Sequence, residues 1–448
     1  MPRWLIVIFA LAVSVAAPTL WIDSPIYSRA VLIAAVCLVL WLSEIVSPFV
    51  PTLLLLALTP LLLSPLDDKF NLSNALSWAI DPVLALFLGG FAIGVATEKY
   101  GFDKSLARAS LKGAGKSFPK FLLFVILLTA FLSMWMSNIA AAALMIACLR
   151  PVMINFDADH ILRRSLLIGI ALGADLGGIA TPIGTGPNAI AIAAVSPFHR
   201  ISFLEWMLFA FPLAVGMLAA GYFLLIARLK LRKTELSDFA VVSLDEKAER
   251  KSFGKAEIGF LFIVVFTVVL WLGEPLHGVS AGTISLAATC ALFLSGLLKK
   301  DDLARIDWST LLLIAGGIAL GRLLEQSELV KVLAENIQWQ TISPTLVIFL
   351  LCLVSATLSA LMSNTATVVL LIPLASALFH QPSILILIAV SASFGIPFVI
   401  STPPNAMVYG EGGLKFNDLF LPGIFLMITG CLLISLTGQA VLNFIGIP

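Results

Sequence analysis

Ser133-Met134-Trp135-Met136-Ser137-Asn138-Ile139-Ala140 returns later in the chain as Ser359-Ala360-Leu361-Met362-Ser363-Asn364-Thr365-Ala366. Each copy is followed by a second phrase. The first is Gly178-Ile179-Ala180-Thr181-Pro182-Ile183-Gly184-Thr185-Gly186-Pro187-Asn188-Ala189, and the other is Gly395-Ile396-Pro397-Phe398-Val399-Ile400-Ser401-Thr402-Pro403-Pro404-Asn405-Ala406. Ser and Asn are good helix N-caps, so each Ser-Asn pair is suited to a hairpin tip that starts a helix. A helix N-terminus carries partial positive charge and attracts anions. The prolines of the second phrases remove helix donors and free carbonyls. Such carbonyls, with Ser and Thr oxygens, suit a hard cation such as sodium. No Lys or Arg lies within either phrase, so an anion held here would be neutralised partly by nearby cations. Polar phrases at matching places in two apolar halves point to a substrate and ion site made by discontinuous helices.

The elements that must position these phrases are membrane helices. The chain of 448 residues is 60% hydrophobic and 12% charged, against about 25% charged in soluble domains. Apolar runs of roughly 17–25 residues recur from end to end, the length of a membrane span. Spans are expected at about 4–21, 29–47, 51–64, 83–98, 165–195, 207–227, 257–273, 279–298, 308–324, 383–409 and 418–445. Two further stretches, 120–150 and 343–379, read as re-entrant hairpins, because a single crossing at either would break the charge bias of the loops. The fold class is therefore all-α polytopic, with 11 transmembrane helices, two re-entrant hairpins and broken helices at the midplane. Counting loops puts 22 of the 27 Lys and Arg residues on one side, which makes that side cytoplasmic. The N-terminus is then inside and the C-terminus outside, in what should be a bacterial inner membrane. These basic loops need no nucleic-acid partner; lipid is the surrounding partner.

Three features repeat in the same order in both halves. Gly89-Gly90 with Glu98 matches Gly316-Gly317 with Glu325, and the Ser-Asn and Pro-Asn phrases follow. Five crossings separate each span from its partner, so the repeats are inverted and the two tips should meet near the midplane. The glycine pairs themselves read as helix-packing positions. The expected organisation is scaffold helices in 1–119, a first transport half in 120–227, a cytoplasmic connector in 228–256, scaffold helices in 257–342 and a second transport half in 343–448. Met1–Ala17 has the look of a signal peptide but reads better as a retained first helix. Cys37, Cys148, Cys290, Cys352 and Cys431 lie in apolar runs without CxxC spacing and read as core residues. The four histidines form no ligand spacing. Asp175 lies within a span, where an ionisable residue is costly and functional by default. A proton or cation role is the sharper reading, and a carboxylate facing a wet cavity or bonded to backbone is the plainer one.

At these phrases the chain resembles the divalent anion/sodium symporter family, over nearly its whole length. Ser363-Asn364-Thr365 matches the family tip completely, and Ser137-Asn138-Ile139 matches in two of three positions. The resemblance implies two sodium sites. One would use Ser133, Ser137, Asn138 and the Gly184 region, and the other Ser359, Ser363, Asn364 and the Ser401 region. It implies that Asn138, Asn364 and Thr365 touch substrate carboxylates, with Thr185, Pro187, Thr402 and Pro404 beside them. It also implies a homodimer that works as an elevator. Three residues depart from the family, Asp175 within its span being one. Ile139 removes a hydroxyl from the pocket, and Gly186 stands where proline is common. The function expected is sodium-coupled symport of a small dicarboxylate such as succinate, with no enzymatic activity. Dicarboxylate exchange, or sulfate or tricarboxylate transport, are the alternatives within the class. An ion channel would need an open polar pore. An intramembrane enzyme would need motifs such as HExxH, which are absent from the sequence.

Overall fold

The computed structural model describes residues 24–43, 45–102, 117–229, 254–328, 343–379 and 381–447. The expected first span at 4–21 and most of the connector at 228–256 lie outside the described residues. The regular structure of the described part is all helix, as lipid-embedded elements require, because each helix satisfies its own backbone. The longer helices are α1 (Pro25–Ser43), α2 (Phe49–Leu63), α3 (Pro82–Tyr100), α4 (Phe118–Ser133), α5 (Asn138–Met153), α6 (Ile161–Gly177), α7 (Gly186–Val195) and α8 (Phe203–Leu229). They continue as α9 (Lys255–Leu272), α10 (Ala281–Leu294), α11 (Trp308–Gln326), α12 (Pro344–Leu361), α13 (Asn364–Leu378), α14 (Pro382–Ala392), α15 (Pro403–Gly410) and α16 (Phe416–Leu433). By length and composition, six of these helical segments are apolar enough to cross a membrane. They correspond to α3, α8, α9, α11, α12 and the stretch that α16 opens. Lys255–Leu272 is the most exposed, with large apolar side chains such as Phe262 and Phe266 facing outward.

Local sequence sets the breaks. α4 and α5 form one hairpin and α12 and α13 the other, and each returning helix opens on the Asn of a Ser-Asn pair. Ser137 Oγ accepts from the Ala140 amide at 3.2 Å, and Ser363 Oγ accepts from the Ala366 amide at 3.2 Å. α6 and α7 form one broken helix, and α14 and α15 the other. Proline stands in the first turn of both α7 and α15, where its missing N–H is not needed. The packing repeats as well: α4 lies on α6 and α12 on α14.

The glycine pairs make close helix contacts in both halves. Gly89 of α3 packs on Ser285 of α10, and Gly316 of α11 packs on Thr52 of α2, with no room for a Cβ at either. The second glycines face the broken helix and a hairpin. A Cβ at Gly90 would meet Ile183 at 3.0 Å, and one at Gly317 would meet Val369 at 2.8 Å.

Loop contacts join the elements at their ends. Lys99 Nζ lies 2.5 Å from Asp302, and Arg305 lies 2.9 Å from Glu98. Arg150 pairs with Glu411 at 2.9 Å, Arg163 donates to the Glu411 carbonyl at 2.8 Å, and Arg164 pairs with Asp418. Elsewhere Arg29 donates to the Leu62 carbonyl at 2.6 Å, and the Phe203 amide donates to Glu274 at 3.3 Å. Each contact joins loops that the charge count assigns to one side.

Candidate functional site

Both hairpin tips and both helix breaks line one cavity of about 930 Å3. Its wall includes Ser137, Asn138 and Ile139 of the first tip and Ser363, Asn364 and Thr365 of the second. Gly184, Thr185 and Gly186 come from the first break, and Ser401, Thr402 and Pro403 from the second. Pro187 and Pro404 are buried one position beyond the wall. Ser133 and Ser359 are fully buried behind the tips.

Those two serines fix the Asn side chains. Ser133 Oγ can donate to Asn138 Oδ1 at 2.7 Å or to the Ala174 carbonyl at 2.6 Å. Ser359 Oγ donates to Asn364 Oδ1 at 2.7 Å. Each Asn therefore turns its oxygen toward the buried serine, which leaves its NH2 group to act as the donor elsewhere.

The first tip also meets its break. Thr181 Oγ1 donates to the Met134 carbonyl at 2.6 Å. A Cβ on Gly178 would stand 2.6 Å from Asn138 Oδ1 and 3.0 Å from the Gly184 carbonyl oxygen. Two oxygens thus converge on a space that exists because position 178 has no side chain. An oxygen donor set of this kind fits a hard cation. At the second break the corresponding glycine faces differently. A Cβ on Gly395 would meet the Ala356 carbonyl and the Ala360 amide of α12, each at 2.7 Å. Ser401 Oγ donates to the Phe398 carbonyl at 2.6 Å and accepts from the Phe398 amide at 3.2 Å, so this hydroxyl serves its own turn.

The freed carbonyls of the breaks are largely taken, contrary to the expectation that they face an ion. Asn188 Nδ2 donates to Gly178 at 3.0 Å and Thr181 at 2.8 Å, and Trp206 Nε1 donates to Ile179 at 3.1 Å. Asn405 Nδ2 donates to Ile396 at 2.9 Å and Phe398 at 3.0 Å. The Asn of each Pro-Asn phrase thus replaces the helix bonds that the prolines remove. Its role was missed in the sequence, although its fixed place one residue after proline was the available signal.

Gly186 has a local reason too. A Cβ there would lie 2.5 Å from Thr365 Oγ1, so the second tip fills the space against the start of α7. Ile139, on the first tip, is half exposed to the cavity. Asp175 is also on the wall, 1% exposed, and its Oδ2 accepts from Thr402 Oγ1 at 2.9 Å.

The sequence pattern of the citrate transporter family, CitMHS, matches residues 38–378 and 268–446. The chain belongs to that family. CitMHS proteins are membrane transporters rather than enzymes, which agrees with the resemblance drawn from the Ser-Asn and Pro-Asn phrases. Among curated relatives, the inorganic phosphate transporter PHO87 of Saccharomyces cerevisiae is 27% identical over 90% of this chain and 45% of its own length. The chain therefore spans about half the length of that yeast relative. The sodium-dependent dicarboxylate transporter SdcS of Staphylococcus aureus is 26% identical over 88% of this chain and 82% of its own. In fold, the chain is similar to the YdaH transporter of Alcanivorax borkumensis. The TM-score is 0.55 at 14% identity, covering 90% of this chain and 99% of that one. This CitMHS chain has helices apolar enough to cross a membrane, and its described helices line a cavity between two tips and two breaks.

Proposed function

We propose that this protein is a sodium-coupled symporter of small dianionic carboxylates, C4-dicarboxylates such as succinate. The observation that carries the reading is the convergence of Asn138, Asn364, Thr365, Thr185 and Thr402 on one cavity, with oxygen sites behind it. The Ser-bound orientation of each Asn leaves its NH2 group as a donor for a carboxylate. The openings of α5, α7, α13 and α15 add partial positive charge around the anion. Sodium travels as a co-substrate. Ser133, Ser137, Asn138 and the Gly184 region hold one ion, and Ser359, Ser363, Asn364 and the backbone of the Ser401 region hold the other. The name of the SdcS relative supports both the anion class and the cation.

The moving body is α4–α8 with α12–α16, and α1–α3 with α9–α11 is the scaffold of a homodimer. The ion pairs support that division. Arg150–Glu411 and Arg164–Asp418 tie the two moving segments to each other, and Lys99–Asp302 ties scaffold to scaffold. The cavity also reaches Ser43, Asp307 and Thr310, at the ends of α1 and α11 that the charge count makes cytoplasmic. The reach to Ser43, Asp307 and Thr310 supports a cavity that opens inward.

The phosphate transporter among the relatives favours a second reading, transport of an inorganic dianion such as sulfate through the same cavity. Reconstitution in liposomes separates these. Labelled succinate, citrate, phosphate and sulfate are offered with sodium, lithium, potassium or choline outside. Sodium-driven succinate uptake is expected. Uptake that ignores sodium and requires internal dicarboxylate would make the protein an exchanger, and absence of uptake for all four anions would sink the reading.

A further inference from the structure

One carboxylate stands beside the anion cavity without a basic partner on its wall. Asp175 lies in the last turn of α6, and its Oδ1 is buried with no hydrogen-bond partner among the described residues. Thr402 Oγ1 donates to Oδ2 and itself accepts from the Asn405 amide at 3.3 Å. That hydroxyl's proton is therefore committed to the carboxylate. An ionised carboxylate has room for about four such bonds, and here it shows one. Among the described residues, the other titratable group on the cavity wall is Asp307, also an acid.

Basic side chains stand far along the helix. Arg163 and Arg164 are in the first turn of α6, and Arg164 lies about 16 Å from Asp175 at 1.5 Å per residue. The helices packed on α6 carry Lys120 on α4, Arg150 and Cys148 on α5, Glu205 and Tyr222 on α8, and Tyr409 on α15. Arg150 is committed to Glu411, and Tyr222 donates to the Pro119 carbonyl. The repeat makes the contrast sharper. In the register that pairs Asn188 with Asn405, the counterpart of Asp175 is Ala392.

A dianion entering a cavity walled by carboxylates meets like charge in a poorly screened interior. An ionisable side chain at membrane depth is also expensive unless its charge is met. We infer that Asp175, with the Thr402 hydroxyl, forms a third site for a monovalent cation, filled together with the anion. The occupant is a proton or a sodium ion. Either removes the repulsion, and by linkage the anion then strengthens the cation's binding by the same factor. The site bridges the two repeats, so its occupant bonds one break to the other. This inference adds a cation to the two in the proposed function and rests on that reading for the anion alone.

The test uses the full protein in proteoliposomes, comparing wild type with Asp175→Asn, which keeps the shape and removes the charge. Asp175→Ser serves as a second neutral variant, and elution as a single folded species is required of both. The net charge carried per dicarboxylate, read from the reversal potential, should fall by one elementary charge. If the lost cation is a proton, uptake by the variant becomes independent of pH while its sodium Hill slope is unchanged. If it is sodium, the Hill slope falls by about one and the pH profile is kept. Unchanged charge, pH profile and sodium slope would overturn the site. A second measurement is independent of any transported anion. Sodium and acid titrations of the purified protein, followed by tryptophan fluorescence, should lose one binding step in both variants. Retention of every step would overturn the inference even if the wild type carries no dicarboxylate.

Discussion

At the first tip, Asn138 Oδ1 and the Gly184 carbonyl close around a space beside Gly178. At the second, the matching glycine is packed against the α12 backbone, and Ser401 spends its hydroxyl on its own turn. The tips share the serine that orients the Asn, and they differ in what the adjoining glycine faces. Glycine at both places therefore answers two separate physical needs. Gly178 leaves space among oxygens, and Gly395 lets the second break lie against α12. The comparison extends to the anion side. Thr365 fills the space over Gly186, whereas Ile139 offers the cavity no hydroxyl.

The largest effects should come from the groups the tips share. Asn138→Ala and Asn364→Ala should each abolish uptake while the protein still purifies as a folded species. Near-normal uptake in either would place the site elsewhere. The glycines should then separate the tips. Gly178→Ala puts a methyl into the oxygen cradle, and overpacking of this kind costs about 1–3 kcal/mol, so the sodium concentration for half-maximal uptake should rise roughly tenfold or more. Gly395→Ala strikes backbone instead and should lower the melting temperature by several degrees, with sodium dependence intact in the protein that survives. Equal sodium effects from both would erase the asymmetry.

Smaller effects should follow from the hydroxyls. Thr365→Val removes one donor, worth about 0.5–1.5 kcal/mol, and should raise the KM for dicarboxylate roughly two- to tenfold. Ile139→Thr should change KM in the opposite direction or alter the preference among dianions. An unchanged KM and preference for both would show that neither position touches substrate. The smallest effect lies away from the cavity. The Lys99 hydrogen bond holds the Asp302 carboxyl below the usual carboxylate range. A lowered folded value stabilises the fold above the ordinary carboxylate pKa of about 4, and that stability is lost as pH falls through the folded value. Thermal unfolding should therefore lose less on acidification in Asp302→Asn than in the wild type.

The hairpins and broken helices were legible because caps and prolines act locally. Ser137, Ser363, Pro187 and Pro404 mark helix starts whatever surrounds them. The convergence of both tips was legible too, from features repeated in the same order with an odd number of expected crossings between them. Three-dimensional commitments were not. Nothing in the phrase Pro-Asn-Ala says that the Asn will bind carbonyls up to ten residues back, because that depends on how the break folds over α7. The choice of Gly186 in place of proline makes sense only with Thr365, which is remote in sequence and adjacent in space. Asp175 was visible as an oddity, but its partner Thr402 lies 227 positions later.

That distance has a consequence for how the protein is made. A nascent chain presents Asp175 to the membrane long before Thr402 leaves the ribosome, and Arg164 long before Asp418. Until the last quarter of the chain emerges, the first tip has half a cavity and a buried-to-be charge without its hydroxyl. Until then Asp175 and Arg164 lack the partners the folded chain gives them. The cavity is thus completed late in synthesis, because a chain cut before residue 402 lacks Thr402 and Pro403 of its wall.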